Sequence, residues 1–218
     1  MFQMSRESKK NKITRISEIV KRLKKEYPDS KCSLNFDNPF QLLVATILSA
    51  QCTDERVNKV TSKIFPKHPD ARAFSSLSEK EIGKLVFSTG FYNNKAKNIK
   101  AMSDIISHEY NGEIPNDIEK LIQLPGVGRK TANVVLGNVF NVPSLVVDTH
   151  VTRITNLLKF TKSKNAVVIE RELCKIVESE SWSIFAHLLI DHGRKVCIAN
   201  RPKCQECILS NLCPSSKE

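Results

Sequence analysis

The apolar positions recur at helical spacing along nearly the whole chain. Ile13, Ile16, Val20 and Leu23 return at intervals of three and four, with Lys and Arg between them. This predicts an amphipathic helix with a basic outer face. Tyr27-Pro28-Asp29 ends it. Asn38-Pro39 reads as an N-cap and first helical position, opening a helix to about Ala50 that is apolar almost all round and therefore buried. Thr53 is placed to cap the next helix, which stops before Pro66. Ser78 and Glu81 form a capping box for a helix with Gly90 at its C-terminal end. Residues 92–110 read as a helix closed by Asn111-Gly112, and Asn116 as the cap of a short helix to about Gln123. Further helices are expected over roughly 129–140, 149–160, 164–178 and 181–196. The last 22 residues contain Cys, Pro and Lys with little periodicity. No stretch alternates as a strand does, so the fold class is all-α.

Charge narrows the range of partners. Thirty-four Lys and Arg against 23 Asp and Glu leave +11 over 218 residues. Residues 1–25 hold nine basic and two acidic residues, which is +7 of the excess. A polyanion is the expected partner, with a solvated basic face as the alternative. No run approaches the ~18 apolar residues of a membrane span, and the N-terminus lacks the apolar core of a signal peptide. The expected place is the cytoplasm. Seven Cys in a reducing compartment suggest metal ligands or buried thiols rather than disulfides.

The chain has only seven glycines, and two stand in LPGVGRKTA, residues 124–132. Pro125 stiffens a turn in which Gly126 and Gly128 are free to take positive φ. Arg129 and Lys130 then open a helix whose unpaired N–H groups and dipole suit a phosphate. An ordinary interhelical turn has the same two glycines. Phosphate contacts of this kind position a duplex without reading its bases.

Four cysteines, Cys197, Cys204, Cys207 and Cys213, are spaced C-x6-C-x2-C-x5-C. The spacing alone suits zinc or an iron–sulfur cluster equally. Arg194, Lys195, Arg201 and Lys203 fall within ten residues with no acid among them, a pattern that suits phosphates. Cys32, Cys52 and Cys174 are expected to be buried thiols.

LPGVG followed by a helix and, some twenty residues on, Asp148 in VDTHV resembles the helix-hairpin-helix DNA glycosylase superfamily. LLVATILSAQCTD (residues 42–54), GFYNNKAKNI (90–99) and HGRKVC (192–197) continue the likeness, which covers about residues 13–214. It is greatest to the bifunctional iron–sulfur branch that acts on oxidised pyrimidines. Mismatch adenine glycosylases are similar but lack the lysine and carry a further C-terminal domain. The resemblance implies base-excision repair of duplex DNA by a monomer, with glycosylase activity and abasic-site lyase activity. It implies a 4Fe-4S cluster on the four cysteines.

It also assigns roles. Lys130 is the nucleophile and Schiff-base former, and Asp148 the carboxylate that stabilises positive charge on the sugar. Chemically, the amine must be neutral to attack, and the helix terminus, Arg129 and partial burial would favour that. Asp148 also stands where a helix N-cap is expected. Gln51 enters the space left by a flipped nucleotide. Phe91 stands where relatives often carry a Leu wedge, and a core position is the other reading of it. Leu124, Gly126, Val127, Gly128 and Arg129 contact DNA through the hairpin, joined by the four cations near the cysteines. Ser49, Asp54 and His150 support the pocket. The implied architecture is two helical domains with a cleft between them, with Lys130 and Asp148 facing each other across it. Residues 32–142 form one domain, and residues 1–31 with 143–218 form the other.

Overall fold

The structure is a computed structural model, and it describes residues 7–216. Residues 1–6 of the basic N-terminal segment therefore lie outside the described part. Among the described residues there are α-helices and short 3-10 turns and no strand, so the all-α expectation holds. Contacts divide the chain into two units. One is Cys32–Val142; the other joins the described residues up to Lys31 with those from Pro143 on.

The first unit is built around α2 (Pro39–Leu48), in which every residue from Phe40 to Leu48 is buried. Asn38 caps it, its side-chain oxygen accepting from the Gln41 N–H at 3.0 Å. The helix ends at Leu48, with Ser49 as C-cap, slightly short of Ala50. α3 (Asp54–Ile64) is capped by Thr53. α5 (Glu79–Val86) carries the full capping box of Ser78 and Glu81. α6 (Tyr92–Glu109) packs against both α2 and α5, and α8 (Arg129–Val139) lies against α2.

Two details differ from the periodicity. A five-residue helix, α4 (Ala71–Ser75), is present where none was expected. It is too short to show a period and is set by the Asp70 cap and the burial of Ala71 and Phe74. The short helix α7 (Ile118–Leu121) is capped by Asp117 rather than Asn116, through the Lys120 N–H at 2.9 Å.

In the second unit α1 (Lys9–Glu26) buries Ile16, Ile19, Val20 and Leu23, whereas Ile13 remains exposed. α1 packs on α11 (Trp182–Lys195), which also packs on α9 (Thr149–Leu157). α10 (Ala166–Leu173) is shorter than the expected 164–178, because Asn165 caps its start and the chain turns at residues 174–176, where the Ile176 and Val177 N–H groups both donate to the Leu173 carbonyl.

Part of the N-terminal basic charge works inside this unit. Arg15 pairs with Glu7 through two bonds of 2.9 and 2.7 Å, donates to the Leu212 carbonyl at 3.0 Å and lies over the Phe160 ring. Arg22 donates to the Ile208 carbonyl and the Asn211 side chain at 2.9 and 2.7 Å. Both arginines thus hold the C-terminal cysteine segment.

Candidate active site

The hairpin is a turn of defined type. The Val127 N–H donates to the Leu124 carbonyl at 3.0 Å, and Gly126 has φ +77°. Pro at the second position and a positive-φ Gly at the third are the residues of a type II turn. Gly128 departs from expectation. Its φ is −91°, and it serves as the N-cap of α8 without any side-chain cap bond. Leu124 and Val127 were expected among the DNA contacts, but they are 3% and 6% exposed. Their side chains anchor the hairpin in the core, and only its backbone is left to meet a partner.

Gly128 puts no side-chain cap on the start of α8, and such a helix start suits an anion. Arg129 and Lys130 occupy the first two positions of the helix, and both are exposed. The expected partial burial of Lys130 is therefore not found.

Gln51 and Phe91 lie in this same unit, and both are exposed. Phe91 is 66% exposed, which removes the core reading of it. Both backbones are left-handed, with φ +54° at Gln51 and +50° at Phe91. Ser49 turns inward, its hydroxyl donating to the Thr46 carbonyl at 2.8 Å. Asp54 accepts from the Ser33 hydroxyl at 3.1 Å. These bonds tie both residues to local backbone and loop structure.

Asp148 lies in the other unit. Its Oδ1 accepts from the Val151 N–H at 2.8 Å, so it is the N-cap of α9. The cap fixes the carboxylate's rotamer at the start of the helix. Burial lowers the pKa of His150, with Asp148 pulling it partly back. Its Nδ1 lies 3.3 Å from Arg153 Nη2, and a Cβ on Gly193 would meet that ring nitrogen. His150 is thus wedged where α9 and α11 pack.

Sequence reasoning misses Arg153. Its Nη2 donates to the Cys197 carbonyl at 2.6 Å and to the Gly193 carbonyl at 3.3 Å. Its Nε is buried with no hydrogen-bond partner.

The four cysteines and Arg153 line one cavity of about 330 Å³. Among the described residues, no cysteine is in a disulfide. Among the described residues, no three His, Cys, Asp or Glu side chains close on a point as ligands of one ion do. Burial pushes the Cys197 and Cys207 thiols up, and Arg153 acts against this at Cys197. Four thiols around a cavity, with an orphaned guanidinium N–H, form a donor set that fits an anionic thiolate-bound group. Cys32, Cys52 and Cys174 are half-buried.

Arg194, Lys195, Arg201 and Lys203 are exposed around these cysteines. Lys195 leans over the Tyr27 ring at 4.9 Å, and Lys203 is 3.9 Å from Glu206. Exposed pairs of the second kind are weak.

An all-helical chain with a type II glycine turn and an uncapped helix start defines a helix-hairpin-helix protein. The chain belongs to the HhH-GPD superfamily of base excision DNA repair proteins, whose family pattern matches residues 44–179. Within it the chain is similar to endonuclease III. It is 50% identical to the Synechocystis endonuclease III over 208 residues, covering 95% of each chain. It is 43% identical to endonuclease III of Escherichia coli, covering 93% of this chain and 96% of that one. An endonuclease III–DNA complex trapped as a covalent intermediate matches with a TM-score of 0.88 and 42% identity, covering 94% and 96%.

Proposed function

We propose that the protein is a DNA glycosylase and abasic-site lyase that removes oxidised pyrimidines from duplex DNA. The observation that carries this is Lys130, an exposed amine at the second position of a helix whose uncapped start follows a phosphate-suited turn. The likeness to an enzyme caught in a covalent DNA intermediate supports it.

The chemistry follows from the groups present. The Lys130 amine attacks the sugar C1′, and the base leaves with the C1′–N electron pair and takes up a proton. The deprotonated amine nitrogen then expels the ring oxygen, giving an imine at C1′ and a hydroxyl at C4′. Loss of a proton from C2′ expels the 3′ phosphate, which is β-elimination, and water releases the lysine. Asp148, held by its cap, stabilises positive charge as it builds on the sugar. The nucleotide must leave the stack for this. Gln51 fills the vacated space, and Phe91 wedges beside the opposite strand. The Gly126–Gly128 backbone and Arg129 hold a phosphate, and the four cations near the cysteines hold further ones.

Cys197, Cys204, Cys207 and Cys213 bind a 4Fe-4S cluster in this reading. The group supplies a cross-link for a segment with little helical structure of its own. The cavity of about 330 Å³ supports a multi-atom group over one ion. No described helix is long and apolar enough to cross a membrane. We place the protein in the cytoplasm on nucleoid DNA, acting as a monomer. The two units correspond to a hairpin domain and a cluster domain in the same reading.

The test uses labelled duplexes carrying one thymine glycol or one undamaged thymine. The expected result is release of the damaged base and a strand break 3′ to its site in the first duplex alone. Binding without any product would refute the proposal.

A further inference from the structure

Lys95 lies in α6 and is 4% exposed. Its Nζ donates to the Leu48 carbonyl and to the Thr89 carbonyl, each at 2.8 Å. Leu48 is the last residue of α2, so its carbonyl belongs to the negative end of that helix, where a cation is favoured. Burial opposes this and pushes the Lys95 pKa down.

Each of the two carbonyls stands just ahead of a residue expected to enter DNA. Gln51 comes three residues after Leu48, and Phe91 two residues after Thr89. Both are exposed and both are left-handed. A non-glycine residue in that region is disfavoured, and such residues persist only where their surroundings over-determine them. Lys95 supplies one constraint common to both.

We propose that Lys95 is a positioning residue that ties the end of α2 to the turn before α6, and so presents Gln51 and Phe91 to the duplex as one preset pair. This rests on the reading of Gln51 and Phe91 given above. A lysine that merely capped α2 would need only the Leu48 bond; the Thr89 bond is what links the two loops. α6 extends the arrangement. Phe91 is its N-cap, Lys95 and Asn98 stand at i and i+3 on one side of it, and Asn98 lies against Gly126 of the hairpin. The physical gain is preorganisation. Opening a base pair is unfavourable, and two residues already fixed in place lose less entropy on entering the gap.

The test is Lys95→Met, which keeps an unbranched apolar stem and removes the donors. Single-turnover cleavage is measured on a thymine glycol duplex and on single-stranded abasic DNA, which has no opposite strand to wedge and no orphan base to pair. The expected result is a loss of about tenfold or more on the duplex, equivalent to about 1.4 kcal/mol, with the single-strand rate within about twofold of wild type. A 2-aminopurine placed opposite the lesion reports slower insertion in the same variant. Equal loss on both substrates, or no loss on the duplex, would overturn the proposal. Should Lys95→Met not fold, a double-mutant cycle of Gln51→Ala and Phe91→Ala decides. Coupling of the two in the duplex rate is expected, and additivity would refute a preset pair. A wild-type protein that cleaves neither substrate refutes the enzyme reading itself, and this proposal with it.

Discussion

The Gly126 backbone lies so close to Asn98 that a Cβ added to the glycine would stand 2.8 Å from the Asn98 Cβ. The same glycine has φ +77°. Close approach and backbone conformation therefore both demand glycine here, and each does so for its own reason. Gly126→Ala is expected to lose about 1–3 kcal/mol of stability, read by thermal or denaturant melting. Duplex affinity should fall as well, because the hairpin would have to shift off α6.

Gly128 should behave in the opposite way. It has an ordinary φ of −91°, no other atom lies within 4 Å of where its Cβ would stand, and no side chain caps α8. Gly128→Ser offers a hydroxyl to the helix start and should gain a few tenths of a kcal/mol. The same hydroxyl occupies N–H groups that a phosphate would otherwise take. Melting temperature should therefore rise slightly while the dissociation constant for duplex DNA worsens. Parallel movement of the two would contradict the anion-site reading.

Asp148 has a structural task and a proposed catalytic one, and two substitutions separate them. Asp148→Asn keeps an oxygen for the Val151 N–H and should melt near wild type. Asp148→Ala loses the cap and should be less stable by about 1 kcal/mol. Both remove the negative charge. Base excision should fall in both by about a hundredfold or more, measured in single turnover. A fully active Asp148→Asn would leave Asp148 as a cap and nothing else.

The His187 imidazole predicts a pH effect on folding. Burial pushes its pKa down, with Asp191 opposing. The unfolded chain therefore binds the proton first as pH falls below about 6.5. Stability from this group is complete above that pH and is lost as pH drops towards the folded value. The slope contributed cannot exceed about 1.4 kcal/mol per pH unit. His187→Gln should flatten the stability–pH curve from about pH 6.5 downward, as read by denaturant titrations across that range.

Much of the fold is legible because its signals are local. The caps at Asn38, Thr53, Ser78 and Asp148 each bond an N–H three residues on. The almost wholly apolar α2 identifies itself as the centre of its unit. α4 is invisible because five residues cannot show a period. Asn116 and Asp117 are adjacent, equally good caps, and only the backbone chooses between them. Among the candidate residues, Lys130 and Asp148 stand out by motif. Exposure of Phe91 and burial of Leu124 and Val127 do not, since each depends on packing. Lys95 and Arg153 are harder still. Their carbonyl partners lie up to 47 and 44 residues away in sequence, and a lysine or arginine on a helix looks like solvent-facing charge until the fold is known.

The central claim is that Lys130 forms an imine with the damaged sugar. The most direct measurement is borohydride trapping on a thymine glycol duplex and on an abasic duplex, with Lys130→Gln alongside. Wild type should give a covalent protein–DNA band on both duplexes, and the variant should give none. A band of equal intensity in Lys130→Gln, or no band from wild-type protein that binds both duplexes, would contradict the claim.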